Sequence, residues 1–178
     1  MSKKTKKFTL KTLTAAAMLA ALSAVIGILC KNFFTFNIYY RITFENMPVI
    51  LAGLLFGSVT GAAVGASADI ISCLCSTNPN LNPIITLGAA SVGALAGIVP
   101  YIIKNKGKAQ TALAVVLAHL VGQVGIKSVG KMVYFGMPWQ GILVGLLISV
   151  FVGAFEFWFI NWLRSSRGVG HYLEGKLK

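Results

Sequence analysis

The chain has 178 residues, 56% of them hydrophobic and 11% charged, with a net charge of +12 and a mean hydropathy of +0.78. No soluble domain needs that much apolar surface, so composition excludes a water-soluble fold and predicts an all-α polytopic membrane protein. The basic excess would suit nucleic acid, but the basic residues flank apolar spans, which assigns them to orienting the chain in a bilayer and excludes a nucleic-acid partner.

Residues 1–10 carry Lys3, Lys4, Lys6 and Lys7 ahead of an apolar stretch that begins at Leu13 and runs nearly to Lys31. That stretch is long enough to span and more spans follow, so it is read as an uncleaved first helix over about Lys11–Cys30 rather than a removed signal. Ala16, Ala20 and Ala24 lie four apart on one face, with Ala17 and Ala21 beside them. Small residues at that spacing let two helices approach closely, either within this bundle or against another membrane subunit. A loop rich in aromatics follows (Phe33, Phe34, Phe36, Tyr39 and Tyr40), and then Arg41-Ile-Thr-Phe-Glu-Asn-Met-Pro48. Pro48 suits the first turn of a helix, where its missing N–H is no loss, so a short second helix is expected over about Pro48–Phe56, with Glu45 and Asn46 at its mouth.

Gly57 and Ser58 allow a turn into a third helix ending near Cys75. Gly57, Gly61 and Gly65 recur every fourth residue and Asp69 continues the series, which puts this carboxylate on a close-packing face away from lipid. Asn78 to Pro83 reads as a loop, with Asn82 as N-cap and Pro83 as first residue of a fourth helix ending near Ile103. A basic loop, Lys104 to Lys108, leads to a fifth helix over about Ala109–Tyr134. It carries His119, Gln123, Lys127 and Lys131 at every fourth position. In an α-helix each such step drifts roughly 40°, giving a slowly winding polar stripe. Charges near the middle of a span cost roughly 2.5–3.5 kcal/mol on insertion scales, so the stripe should face other helices or a wet cavity. Lysines near a helix end can instead snorkel to the headgroups. Gly136, Met137 and Pro138 break the helix, and a sixth runs over about Trp139–Leu163 with Glu156 inside it, a residue without an evident role.

Six spans put both termini on one side, and the basic tail of residues 164–178 joins the basic N-terminus on the cytoplasmic face under the positive-inside rule. All but four of the 16 basic residues then fall inside; Lys31, Arg41, Lys127 and Lys131 fall at the outer end. Orientation does not call for cations there, and an anionic ligand arriving from outside would. Close by are the loop aromatics and Trp139, able to stack on a flat ring. Asp69 and Glu45 can each accept two hydrogen bonds from adjacent N–H groups, and Asn46 and Gln123 can donate and accept. The ligand this describes has an aromatic, N–H-bearing head and an anionic tail, as in a pterin carrying glutamate. The alternative for Asp69 is a structural pairing with Lys127.

Catalytic motifs are missing: there is no His-Glu-x-x-His, no Gly-x-Ser-x-Gly and no Gly-x-x-x-x-Gly-Lys-Ser/Thr. Cys30, Cys73 and Cys75 follow no metal-ligand spacing and read as small packing residues.

Arg41-Ile-Thr-Phe-Glu-Asn-Met-Pro48, with six short spans and the alanine-rich first helix, resembles the S components of energy-coupling-factor (ECF) vitamin importers. Leu51-Ala-Gly-Leu-Leu-Phe-Gly57, the Gly61 to Asp69 segment and Asn82-Pro-Ile-Ile-Thr-Leu-Gly88 resemble the folate-specific branch. The resemblance covers nearly the whole chain as one domain. It implies a multi-pass protein of the bacterial cell membrane that binds a vitamin at an outward-facing cavity and is not an enzyme. It implies partners, a membrane scaffold subunit and two cytoplasmic ATPases, so that ATP is used by them and no cofactor is bound by this chain. It also implies toppling in the membrane to release substrate inward, and docking of the scaffold on the helix 1 face of Ala16, Ala20 and Ala24. The site residues that follow for folate are Arg41, Phe44, Glu45, Asn46, Asp69, His119, Gln123, Lys127, Lys131 and Trp139. Competing readings are an S component for riboflavin, pantothenate or thiamine, a stand-alone transporter or channel, and a membrane enzyme using Asp69 or Glu156.

Overall fold

A computed structural model describes residues 10–35, 40–76, 81–104 and 107–165. Lys3, Lys4, Lys6, Lys7, Phe36, Tyr39, Asn78, Lys106 and the tail from residue 166 lie outside the described residues. The described chain is helical: α1 (Leu10–Phe33), α2 (Asn46–Phe56), α3 (Ser58–Leu74), α4 (Pro83–Ile102), α5 (Lys108–Phe135) and α6 (Gly141–Ser165). Four of these, α1, α4, α5 and α6, are long and apolar enough to cross a membrane, while α2 and α3 are shorter apolar helices. The expected count of six holds, but full spanning length is met by four.

Local chemistry sets the boundaries. Asn82 caps α4, its side-chain oxygen accepting from the N–H groups of Ile84 (3.0 Å) and Ile85 (3.3 Å). Helix α2 starts at Asn46 rather than Pro48, which leaves Pro48 still in the first turn, where no intrahelical acceptor is wanted. Helix α1 runs on to Phe33, so Lys31 belongs to its last turn. Gly136, at φ +66°, ends α5 in the left-handed region, and α6 begins only at Gly141, leaving Trp139 on the intervening turn.

Helix α4 is central, packed on α2, α3 and α5, while α1 covers α2 and α3, and α6 lies mainly on α5. The core is made of small and branched residues: Ala16, Ala20, Val49, Ile50, Val64, Val92, Ala96, Ala118 and Ile160. Glycine sets the spacing of α3 against α4. A methyl added to Gly61 or to Gly93 would overlap the other residue's carbonyl, so the two backbones are in contact.

This packing turns the alanine face of α1 inward. Ala16, Ala20 and Ala24 are buried at 6%, 8% and 2% exposure inside the chain's own bundle. The side that α1 leaves open carries Thr14, Ala17, Met18, Ala21, Leu22 and Val25.

Helix α5 departs from α geometry in its middle. Across Ala118–Ile126 the backbone is a π-helix, an under-wound ladder of i→i+5 bonds. In such a stretch a step of four residues falls short of a full turn instead of overshooting it.

Candidate functional site

The polar residues gather where the start of α2 meets α3, α4 and the second half of α5. Glu45 is at the centre. Its Oε1 accepts from Lys127 Nζ (3.2 Å) and from an Arg41 guanidinium N–H (3.3 Å). Both partners of the Glu45–Lys127 pair are buried, with side-chain exposures of 8% and 3%. The Glu45 backbone is fixed too: its carbonyl accepts from Ser23 Oγ (2.6 Å) and its N–H donates to Thr43 Oγ1 (3.3 Å). One residue on, buried Asn46 donates to Gln123 Oε1 at 3.5 Å.

Asp69 faces the same space from α3. Its Oδ2 accepts from Thr86 Oγ1 on α4 (2.8 Å), and Lys31 Nζ donates to Ser72 Oγ (2.8 Å), which in turn donates to the Asp69 carbonyl (3.1 Å). Lys127 pairs with Glu45, not with Asp69. Gly88 on α4 makes room for the lysine stem, since a methyl there would come within 2.6 Å of Lys127 Cγ. Ser23, Glu45, Asn46, Asp69 and Lys127 surround a free space of about 10 Å³, the room of one water.

The polar stripe of α5 divides between two neighbourhoods. Gln123 and Lys127 point to the cluster, and Lys131, one turn further, is half-buried. The π-helical stretch offsets the forward drift an α-helix would give, holding Gln123 and Lys127 toward adjoining partners. His119 goes elsewhere: its Nε2 is 2.8 Å from Glu156 Oε2 on α6, with Glu156 fully buried. His119 Nδ1 and Glu156 Oε1 are buried without a partner among the described residues. The pair borders an apolar groove of about 360 Å³ between α5 and α6, walled by Val115, Val116, Leu120, Leu146 and Val150.

Three of the expected residues lie apart from the Glu45 cluster. His119 belongs to the Glu156 pair and not to the Glu45 cluster. Phe44 packs edge-on against Phe155 of α6, with ring centroids 5.0 Å apart. Trp139 is 69% exposed on the turn before α6. Arg41, Glu45, Asn46, Gln123 and Lys127 are brought together, with Asp69 and Lys131 beside them. Sequence reasoning missed Ser23, Thr43, Thr86 and the partner of Glu156. A signal existed for the last: two titratable groups near the middle of neighbouring apolar helices need each other. Among the described residues no group of three His, Cys, Asp or Glu is placed to hold a metal ion.

Comparison with known proteins gives the context. No curated protein matches the chain. Among solved structures it is similar to FolT bound with folic acid, with a TM-score of 0.72 and 20% identity, covering 88% of this chain and 96% of that one. It is also similar to the S component for biotin from an ECF-type ABC transporter, with a TM-score of 0.69 and 14% identity, covering 97% and 100% of the two chains. At these identities the likeness establishes the fold. The family described as ECF transporter, substrate-specific component, matches over residues 11–163, nearly the whole chain. Its members are membrane transport proteins rather than enzymes, and they bind vitamins and work with an ECF module. The chain belongs to this family of ECF transporter substrate-specific components.

Proposed function

We propose that the chain is the folate-binding S component of an ECF-type importer in a bacterial cell membrane. The observation that carries the reading is the convergence of two cations, buried Lys127 and half-buried Arg41, on one carboxylate oxygen. That is a receptor for a carboxylate, built where charge is expensive. Lys131, one turn beyond, supplies a second anchor, which suits a tail with two carboxylates. Asp69, Asn46 and Gln123 supply acceptors and donors for the edge of a pterin ring. The likeness to FolT bound with folic acid supports the same reading. Since the enclosed space is about 10 Å³, a ring enters only as side chains move.

Both termini lie in the cytoplasm in this reading, and the site opens outward. The partners are a membrane scaffold subunit and two cytoplasmic ATPases. Scaffold docking on α1 uses the face it leaves open, where Ala17 and Ala21 are four apart.

The similarity to the biotin S component favours one second reading. Biotin also joins N–H groups to a carboxylate, but it has one carboxylate where folate has two. Calorimetry on the purified chain in detergent, with folate, biotin, riboflavin, thiamine and pantothenate, tests both. One-to-one binding of folate alone is expected. Binding of biotin alone would replace the first reading with the second.

A further inference from the structure

We propose that Glu45 is the site's own counter-ion, standing where a ligand's carboxylate binds, and that an organic anion enters by displacing it from Lys127 and Arg41. The inference rests on the proposed folate reading and changes the role of one residue in it. Glu45 then competes with the ligand instead of holding its ring.

Four observations carry this. Both cations meet the same atom, Glu45 Oε1, at 3.2 and 3.3 Å, as they would meet one oxygen of a bound carboxylate. The remaining space admits about one water, so anything larger must displace a group already present. Glu45 belongs to the segment leading into α2 and is anchored there by its backbone, to Ser23 and Thr43, so its side chain can leave the cations without unravelling a helix. It also has somewhere to go. Its other oxygen, Oε2, faces Gly27 of α1, where a methyl would come within 2.8 Å, and Ser72 Oγ, the acceptor of Lys31, borders the same spot. A displaced Glu45 turned toward Lys31 keeps a cation near it while the ligand takes Lys127 and Arg41. The exchange is charge for charge, which avoids leaving a buried ion unpaired. A neutral ligand offers no such replacement.

The energetic signature is an apparent affinity reduced by the fraction of molecules in which the pair is open. Removing the competing charge removes that reduction. Folate binding to the wild-type chain, Glu45→Gln and Ser23→Ala would be followed in detergent by calorimetry and stopped-flow fluorescence, with thermal melting as the control for folding. The tail fragment p-aminobenzoylglutamate serves as a second probe. Glu45→Gln is expected to bind both probes about tenfold more tightly and to associate faster, since the open state no longer has to be selected. A merely structural or ring-binding glutamate would move the opposite way. Folate binding by the wild type with weaker or unchanged binding by folded Glu45→Gln overturns the counter-ion role and leaves the folate reading standing. If Glu45→Gln does not fold, Ser23→Ala decides: it loosens the Glu45 carbonyl anchor and should speed association, and an unchanged or slower rate overturns the proposal. No folate binding by the wild type overturns both readings together.

Discussion

Lys127 is a full charge at 3% exposure, made tolerable by one carboxylate and by the bare surface of Gly88 beneath its stem. Two outcomes are expected of single side chains. Replacing both Lys127 and Lys131 by Met should weaken folate roughly thirtyfold or more, the scale of truncating a buried charge partner, while a pterin without the tail loses far less. Equal losses in the two titrations would mark the lysines as structural. His119 and Glu156 give the second. With either one removed, the other is left buried and unpaired, at a cost of roughly 3–5 kcal/mol, whereas an apolar pair is close to neutral. Glu156→Leu should therefore lower the melting temperature and His119→Leu/Glu156→Leu should recover most of it. Folate affinity in the double variant should stay within about twofold of wild type, the scale of a near-neutral change. A large loss would return His119 to the binding site.

At the scale of the helix, glycine spacing governs. Gly61→Val should abolish the folded state or lower its melting temperature steeply, because the added atoms meet the Gly93 carbonyl, which is backbone and cannot rotate away. Gly88→Ala is subtler. Its methyl meets Lys127 Cγ, so the expected outcome is weaker folate binding with a smaller change in melting, read from the same two measurements. Much of this level was readable in the sequence. The Asn82 cap, the glycine series leading to Asp69 and the break at Gly136 are local signals and appear where expected. What was not readable is non-local or conformational. The alanines of α1 fit an internal or an external partner equally well until burial decides. Four-residue spacing fixes a face but not which neighbour each residue on it meets, so His119 reads with the stripe although its partner is on α6, and no residue in Ala118–Ile126 announces an i→i+5 ladder. Glu45 was expected to face a ligand because nothing in a linear sequence shows that Lys127, far along the chain, already holds it.

For the whole molecule, the two sides of α1 face different surroundings. Ala20 is in the core and Ala21 is on the open face. Ala20→Trp should therefore cost stability and ligand binding alike. Ala21→Trp should bind folate normally and fail to transport when reconstituted with an ECF module in liposomes. Normal transport by Ala21→Trp would move the docking surface off α1. The under-wound middle of α5 has a reach of the same size. It works as one surplus residue stored inside a continuous rod, and that residue sets the angular phase of everything after Ile126. Deleting Val121 would let the rod wind as a plain α-helix and leave Lys127 and Lys131 in the phase they have now, because the residue lost is the one the under-wound turn absorbs. A residue deleted beyond Ile126 has no such turn to absorb it and would swing Lys131 by about 100°. In this architecture the same one-residue indel is silent on one side of Ile126 and rewrites the site on the other.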